Sequence, residues 1–451
     1  MGYNVNNLVL HDGSTIGVIG GGPAGSFFSY FALDFAQQQG IKINIDIIEA
    51  KDFNCTGPRG CNHCGGIVSE SLIQMLSTEG IELPSTVIRR GIKSYTLHFE
   101  QGGTVIETPF REQRIASMFR GIGPLGDDNK DQESFDNYLL ELCRKKGAQF
   151  IQDTVIEMNR VTDGIVVKTR NELIKKYDLV VGAAGLNART LALFNPLISD
   201  FKPPETTKTY VAELKLDRQI IDQYFGNSMH VFLLNIPNIK FGALIPKGQY
   251  VTSVLLGSNI DLEIVNKFLL AETVKNCFPP DIDINEIMPC QCYPRINVVN
   301  AKTAYADRVV LIGDSSSSKL YKNGIGAAYI TGKAAAATAV FNGFSKADFQ
   351  QHFQPVCTTL DKDNRIGKFI FSVTSIIQKA SFLKRGILNM VIKEQQKSSL
   401  KREMSYVLWD TFTGSAPYSN ILKRVLHPGL IFNLVWNIMV GNIKKQGPVE
   451  N

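Results

Sequence analysis

Four short runs of Ile, Val and Leu carry no helical period: Ile16 to Ile19, Ile43 to Ile48, Tyr177 to Val181 and Arg308 to Ile312. Each is too short for a buried helix and ends at a glycine or an acid, so each reads as a strand buried on both faces. Alternation of apolar and polar positions marks Tyr95 to Phe99 and Thr104 to Thr108 as a hairpin. Thr252 to Gly257 reads as a further sheet strand. Helical runs begin at Ser26 and, rich in alanine, around Ala334 to Ala339. Beyond about Gly367 the pattern changes, and apolar pairs alternate with lysine and arginine.

The turns that close these strands carry the chemistry. The first strand runs into Gly20-Gly21-Gly22-Pro23-Ala24-Gly25, a Gly-x-Gly-x-x-Gly turn that opens a helix. Gly20 permits the tight turn, Gly22 lets backbone approach a pyrophosphate, and Gly25 lets helix pack on strand, with open helix N–H groups facing the phosphates. The second strand ends at Glu49, the acid expected on a ribose hydroxyl. The third ends at Gly182-Ala183-Ala184-Gly185, and the fourth at Gly313-Asp314, ahead of Gly324-Ile325-Gly326 at a helix start. An aspartate beside a helix N-terminus suits the polyol of a flavin.

On these residues the chain resembles the flavoproteins that include p-hydroxybenzoate hydroxylase, and within them the geranylgeranyl reductase branch, over about residues 14–345. Gly182 to Arg189 resembles the second motif, and Ser134-Phe135-Asp136, with Gly147-Ala148 after it, the helix following the first crossover. Cys64-Gly65-Gly66 resembles the turn that this branch places by the isoalloxazine. The resemblance implies FAD as cofactor, held by Gly20, Gly22, Pro23, Ala24, Gly25, Glu49, Cys64, Gly65, Gly66, Arg120, Val155, Ala184, Gly185, Gly313, Asp314, Gly324, Ile325 and Gly326. It departs from the pattern at Ala184, where the family carries Asp, at Ser317 and Tyr321 for His and Pro, and at Gln132 for Arg. The reductases' Tyr-x-Trp-x-Phe-Pro segment reads Phe241-Gly242-Ala243-Leu244-Ile245-Pro246. These departures put direct reduction by NADPH in doubt and imply an altered substrate pocket.

Three readings of the cysteines stay open. Cys64 supplies the turn while the others are small buried hydrophobes. Alternatively Cys61 and Cys64 form a redox pair, or four of Cys55, Cys61, Cys64, Cys290 and Cys292 hold a soft metal or iron–sulfur cluster. Their spacing fits no standard cluster. His11, His98, His230, His352 and His427 have no ligand-like spacing and read as surface or packing residues.

The chain has 451 residues, 44% hydrophobic and 20% charged, with room for two or three domains. Its polar start lacks a signal-peptide pattern, which makes the eight cysteines read as thiols in a reducing compartment. From Lys379 to Lys445 eleven Lys/Arg face three Asp/Glu, so the net charge of +6 is a basic tail on a near-neutral body. Nucleic acid is not an expected partner. The tail's apolar runs, edged by Lys423, Arg424, Lys444 and Lys445 and holding Trp409 and Trp436, suit a helix lying on an anionic membrane. A helical cap over the substrate domain is the other reading.

The expected fold is α/β: a Rossmann-like FAD-binding domain from residues 1–87, 113–204 and 296–345, a mainly β substrate domain from 88–112 and 205–295, and a helical C-terminal extension from 346–451. The resemblance implies an FAD-dependent reductase that saturates C=C bonds of a membrane lipid or isoprenoid by hydride from flavin N5, with Cys64 or water as proton source. NAD(P)H, ferredoxin or another flavoprotein would be the donor, and the location cytoplasmic, on the inner membrane face. Electron transfer from a protein donor to a membrane quinone is the alternative, followed by flavin monooxygenation.

Overall fold

The computed structural model describes residues 8–57, 60, 64–108, 115–124, 132–396 and 402–443. Its first layer is a six-stranded sheet, in the order Tyr305–Ala306, Val309–Leu311, Leu179–Gly182, Thr15–Ile19, Asn44–Ile48 and Gln149–Ile151. All neighbours run parallel except Tyr305–Ala306. The run from Tyr177 divides at Asp178: Tyr177 ends an antiparallel strand, Ile174–Tyr177, and the parallel strand starts at Leu179. One face packs against helices Pro23–Gln38, Phe135–Lys145 and Gly324–Ala337 through Phe27, Phe28, Phe31, Leu139 and Tyr329. The other face rests on an antiparallel ribbon, Val155–Val161, Gly164–Thr169 and Ile174–Tyr177, through Val155, Ile165 and Val167. Burial on both faces explains why these strands lack alternation. The first helix starts at Pro23, three residues before Ser26, because proline's fixed φ suits the first helical position.

A seven-stranded sheet forms the second body, in the order Cys290–Cys292, Tyr210–Lys215, Tyr250–Gly257, Ile239–Lys247, Ser228–Phe232, Ser94–Phe99 and Gly102–Glu107. Ser94–Phe99 and Gly102–Glu107 form the hairpin that alternation predicts. Helices Arg218–Tyr224, Leu262–Leu269 and Glu272–Lys275 cover one face through Ile221, Ile264, Phe268 and Val274. The opposite face carries Val211, Phe241, Ala243, Ile245 and Val254 and packs against the C-terminal helices.

Five helices, Gln354–Lys379, Ser381–Gln396, Glu403–Thr413, Tyr418–Val425 and Pro428–Ile443, make up most of the C-terminal region. They cap the sheet rather than trail from it. Trp409 is fully buried, stacked on Tyr95 with ring centroids 5.5 Å apart, and its Nε1 donates to Glu70 Oε1 at 2.9 Å. This corrects the expectation that both tryptophans serve an interface: Trp409 is core, and only Trp436 is exposed. Gln378 Nε2 donates to the carbonyls of Leu234 and Lys240, which ties the long helix to the sheet.

Candidate functional site

Parallel register brings the sequence-distant turns to one edge. Ile19 lies beside Gly182 and Ile48, and Gly182 beside Leu311. Gly20, Glu49, Ala183 and Gly313 therefore follow the carboxyl ends of adjacent strands, where open α/β sheets bind ligands. Gly20 takes φ +114°, and a Cβ there would strike the Ala183 carbonyl. A Cβ on Gly25 would strike the Gly20 carbonyl oxygen, so helix and strand touch because that side chain is missing. The third turn closes on the first, since a Cβ on Gly313 would lie 2.7 Å from Ala24 Cβ. Ser315 Oγ donates to the Gly185 carbonyl at 2.9 Å and joins the third turn to the second.

The edge fits an anionic dinucleotide. Helix Pro23–Gln38 starts at Gly22 with no side-chain cap and no acid in its first turn, so its first N–H groups and dipole are open to a phosphate. Glu49 Oε2 accepts from Gly21 N–H at 3.1 Å and Oε1 from Lys51 N–H at 2.8 Å, which aims the carboxylate and leaves lone pairs for a diol. Arg120 binds Asp136 through two hydrogen bonds, Nε–Oδ1 3.0 Å and Nη2–Oδ2 2.7 Å. Its Nη2 lies 3.3 Å from where a Gly22 Cβ would sit. Burial pulls the Arg120 pKa down, but Asp136, with Cys64 and Asp314 behind it, outweighs this and holds the guanidinium charged. Burial raises the Asp314 carboxyl above its ordinary range, while Ser318 and Arg120 pull it back.

Two of the expected cofactor residues have protein neighbours of their own. The Gly326 N–H is already taken by Asn323 Oδ1 at 2.9 Å, a helix cap after which Gly324 is exposed and Ile325 buried. The Val155 side chain is buried with Ile19 and Ile48 beneath the sheet. Ala184 stays within the turn, its carbonyl accepting from Asn187 N–H at 3.2 Å.

The Cys64–Gly66 turn leads into the short strand Ile67–Val68, which pairs with Ile115–Met118. Cys64 Sγ accepts from Gly66 N–H at 3.3 Å, and the Gly66 carbonyl accepts from Met118 N–H at 2.9 Å. A Cβ on Gly65 would meet Val254 Cγ2 at 3.3 Å and Ile245 Cδ1 at 3.6 Å, so the turn rests on the apolar face of the seven-stranded sheet. Beneath it sit two residues that sequence reading passed over, Lys247 and Glu213, both fully buried and 4.0 Å apart. Lys247 Nζ lies 4.7 Å from the Phe119 ring centroid, and Glu213 Oε2 accepts from Thr252 Oγ1 at 2.6 Å. The only sequence signal was the Pro246-Lys247-Gly248 turn at a strand end.

The cysteine expectations separate. Cys290 and Cys292 sit on an edge strand opposite Glu213 and Val211. Cys55, Cys64, Cys290 and Cys292 form no three-ligand metal-binding group among the described residues. Cys61 and His63 lie outside the described residues, and with them the proposed Cys61–Cys64 pair. The histidines behave less independently than their spacing implies. His98 Nε2 and His230 Nδ1 are 3.1 Å apart, and burial pushes the two imidazoles down to about 4 and about 3, His98 adding to the effect on His230.

The loop after Asp314 is held by the C-terminal helices. Leu320 N–H donates to Asn364 Oδ1 at 2.8 Å, and Tyr418 Oη to the Leu320 carbonyl at 2.5 Å. Lys322 Nζ donates to the carbonyls of Asp410 at 3.1 Å and Ala416 at 3.0 Å, and lies 3.8 Å from the Tyr418 ring centroid. Burial, with Lys319 adding, pushes the Lys322 ammonium down to about 7. Tyr321 and Asn323 are held at φ +58° and +52°, backbone that a free loop would avoid.

No family model matches the chain, and no curated protein sequence does. Solved structures do. A geranylgeranyl bacteriochlorophyll reductase-like protein from Thermoplasma acidophilum is similar with a TM-score of 0.63 at 14% identity, covering 92% of this chain and 99% of its own. A flavoprotein/dehydrogenase from Cytophaga hutchinsonii gives 0.59 at 14%, covering 96% and 100%. The p-nitrophenol 4-monooxygenase of Pseudomonas putida gives 0.57 at 12%, covering 90% and 100%. Over nine-tenths of its length, the chain has the fold of these flavoprotein structures.

Proposed function

We propose that the chain is an oxidoreductase that holds FAD along the carboxyl edge of the parallel sheet and reduces a membrane lipid. The observation that carries this reading is the meeting of three glycine turns, Glu49 and Arg120 at one edge, with the Cys64–Gly66 turn leading from it onto an apolar wall. Bound there, FAD would supply two electrons as hydride. First-turn N–H groups of helix Pro23–Gln38 bind the pyrophosphate, Glu49 accepts from ribose hydroxyls, and Asp314 from the polyol. Ile245 and Val254 keep water from the acceptor, and Cys64 Sγ, on the turn that rests on that wall, is the proposed proton source. The reductase-like Thermoplasma structure supports a prenyl C=C bond as the acceptor.

The test is to incubate FAD-loaded, dithionite-reduced protein anaerobically with a polyprenyl lipid extract. Mass gains in steps of two hydrogens are expected. Products that form only with oxygen would replace this reading with monooxygenation. Reoxidation by a quinone analogue with the lipid unchanged would replace it with electron transfer.

Such a lipid would be taken from a bilayer surface. Among the described residues no helix is long and apolar enough to cross a membrane. Helix Pro428–Ile443 nonetheless exposes Phe432 (70%), Val435, Trp436 (54%) and Met439 along one stripe, and Gln354–Lys379 exposes Phe369, Val373 and Ile376. Lys379, Lys423 and Arg424 flank these stripes in sequence. This combination supports docking on an anionic leaflet. Co-flotation with phosphatidylglycerol vesicles is expected for the full chain. The Phe432→Ser/Trp436→Ser variant should bind at least about tenfold more weakly, from lost apolar burial. Equal flotation of the two proteins removes this surface from the proposal.

A further inference from the structure

On the face of the seven-stranded sheet away from the Cys64–Gly66 turn, three elements bring one ligand atom each to a single point. His98 comes from Ser94–Phe99 and His230 from the adjacent parallel strand Ser228–Phe232, where register sets His230 beside Thr96 and His98 beside Phe232. Cys277 follows helix Glu272–Lys275, which lies over that face. His98 Nε2 is 3.1 Å from His230 Nδ1, and that nitrogen is 3.4 Å from Cys277 Sγ. All three ligand atoms lie within 4.8 Å of one another. An imidazole nitrogen offers one hydrogen or one lone pair, so His230 Nδ1 serves one of its two neighbours well, and the Cys277 thiol otherwise donates to the Thr273 carbonyl at 3.5 Å. One ion between the three atoms satisfies them together.

Two of the three edges have the size of those in a metal polyhedron, and the third is within 4.8 Å. Zinc–nitrogen bonds of about 2.0–2.1 Å and a zinc–sulfur bond of about 2.3 Å put tetrahedral N···N and N···S edges near about 3.3 and 3.6 Å. The walls are apolar and rigid: the His98 ring stacks on Phe232 with centroids 4.6 Å apart, and the His230 ring lies 4.9 Å from Phe225. His230 and Cys277 are buried, whereas His98 is half-buried and leaves a path for an ion and a water.

We propose that His98, His230 and Cys277 bind Zn²⁺, with water in the fourth position. The ion staples the helical layer to the sheet. The Zn–S bond forms as the thiol proton leaves to solvent, with no change of oxidation state. The site stands on the opposite side of the sheet from the turn assigned to the flavin, so it is structural and independent of the function proposed above.

The full-length, flavin-loaded protein, stripped with a chelator and dialysed, is titrated with zinc chloride by calorimetry. One equivalent is expected to bind and to raise the melting temperature. His98→Gln and Cys277→Ala should each weaken uptake at least tenfold, with far-ultraviolet circular dichroism and flavin content reporting that both variants fold. Cobalt in place of zinc should add a thiolate charge-transfer band that Cys277→Ala lacks. No uptake by the unaltered chain, or uptake and a cobalt band unchanged in Cys277→Ala, overturns the assignment, the second outcome placing the ion on other thiols.

Discussion

Gly25→Val should purify without flavin. The new Cβ would strike the Gly20 carbonyl oxygen and crowd Val18 Cγ1, 3.1 Å away, so the helix must lift from its strand. Lifting it moves the first-turn N–H groups that face the phosphates and breaks the contact between the first and third turns. We expect FAD affinity to fall by about two orders of magnitude or more, equivalent to about 2.7 kcal/mol, read by fluorescence quenching on reconstitution. Gly91→Ala is the control: nothing lies within 4 Å of that added Cβ, and FAD binding should be unchanged. Stoichiometric flavin in Gly25→Val would show that the turn does not hold the cofactor.

Glu213→Gln should cost about 3–5 kcal/mol of stability, because it leaves the Lys247 charge buried without its carboxylate. Both side chains are fully buried, and the amide can keep the hydrogen bond from Thr252, so the change isolates the charge. The double variant Glu213→Gln/Lys247→Met should recover most of the loss, since removing both charges also removes both desolvation costs. Denaturant unfolding followed by circular dichroism measures the difference. A single variant within 1 kcal/mol of the parent would mean that the pair carries no charge coupling. Lys247 Nζ also lies 2.8 Å from where a Gly66 Cβ would sit, so the pair supports the Cys64–Gly66 turn from below. If the proposed lipid reduction holds, turnover in the single variant should fall further than stability alone predicts.

The strands at Ile16, Ile45, Val180 and Val310 were legible because burial on both faces leaves unbroken apolar runs, and the hairpin at Tyr95 because its strands alternate. The glycine turns were legible for a local reason as well, since backbone reversal and close approach restrict the residue type at each position. Lys247 escaped notice because strand Ile239–Lys247 is buried nearly throughout, so no alternation marks its ion pair as interior. His98 and His230 stand 132 residues apart and Cys277 a further 47, and no local spacing rule spans such gaps. Trp409 looked like an interface residue because it lies in the basic tail, but it stacks on Tyr95, more than three hundred residues earlier.

Local chemistry along the chain was enough to specify a parallel sheet whose strands end in phosphate-suited turns, because each turn's constraint is contained within a few consecutive residues. Which turns meet is a matter of strand register, and it joins Gly20 to Ala183 and Ala24 to Gly313. The loop after Asp314 keeps its left-handed residues only because Asn364, Tyr418 and the backbone around Asp410 hold it from a region that reads in sequence as a detachable basic tail. Long-range packing thus makes that tail part of the site. Contacts between segments so far apart depend on how whole layers stack, and no run of neighbouring residues encodes that.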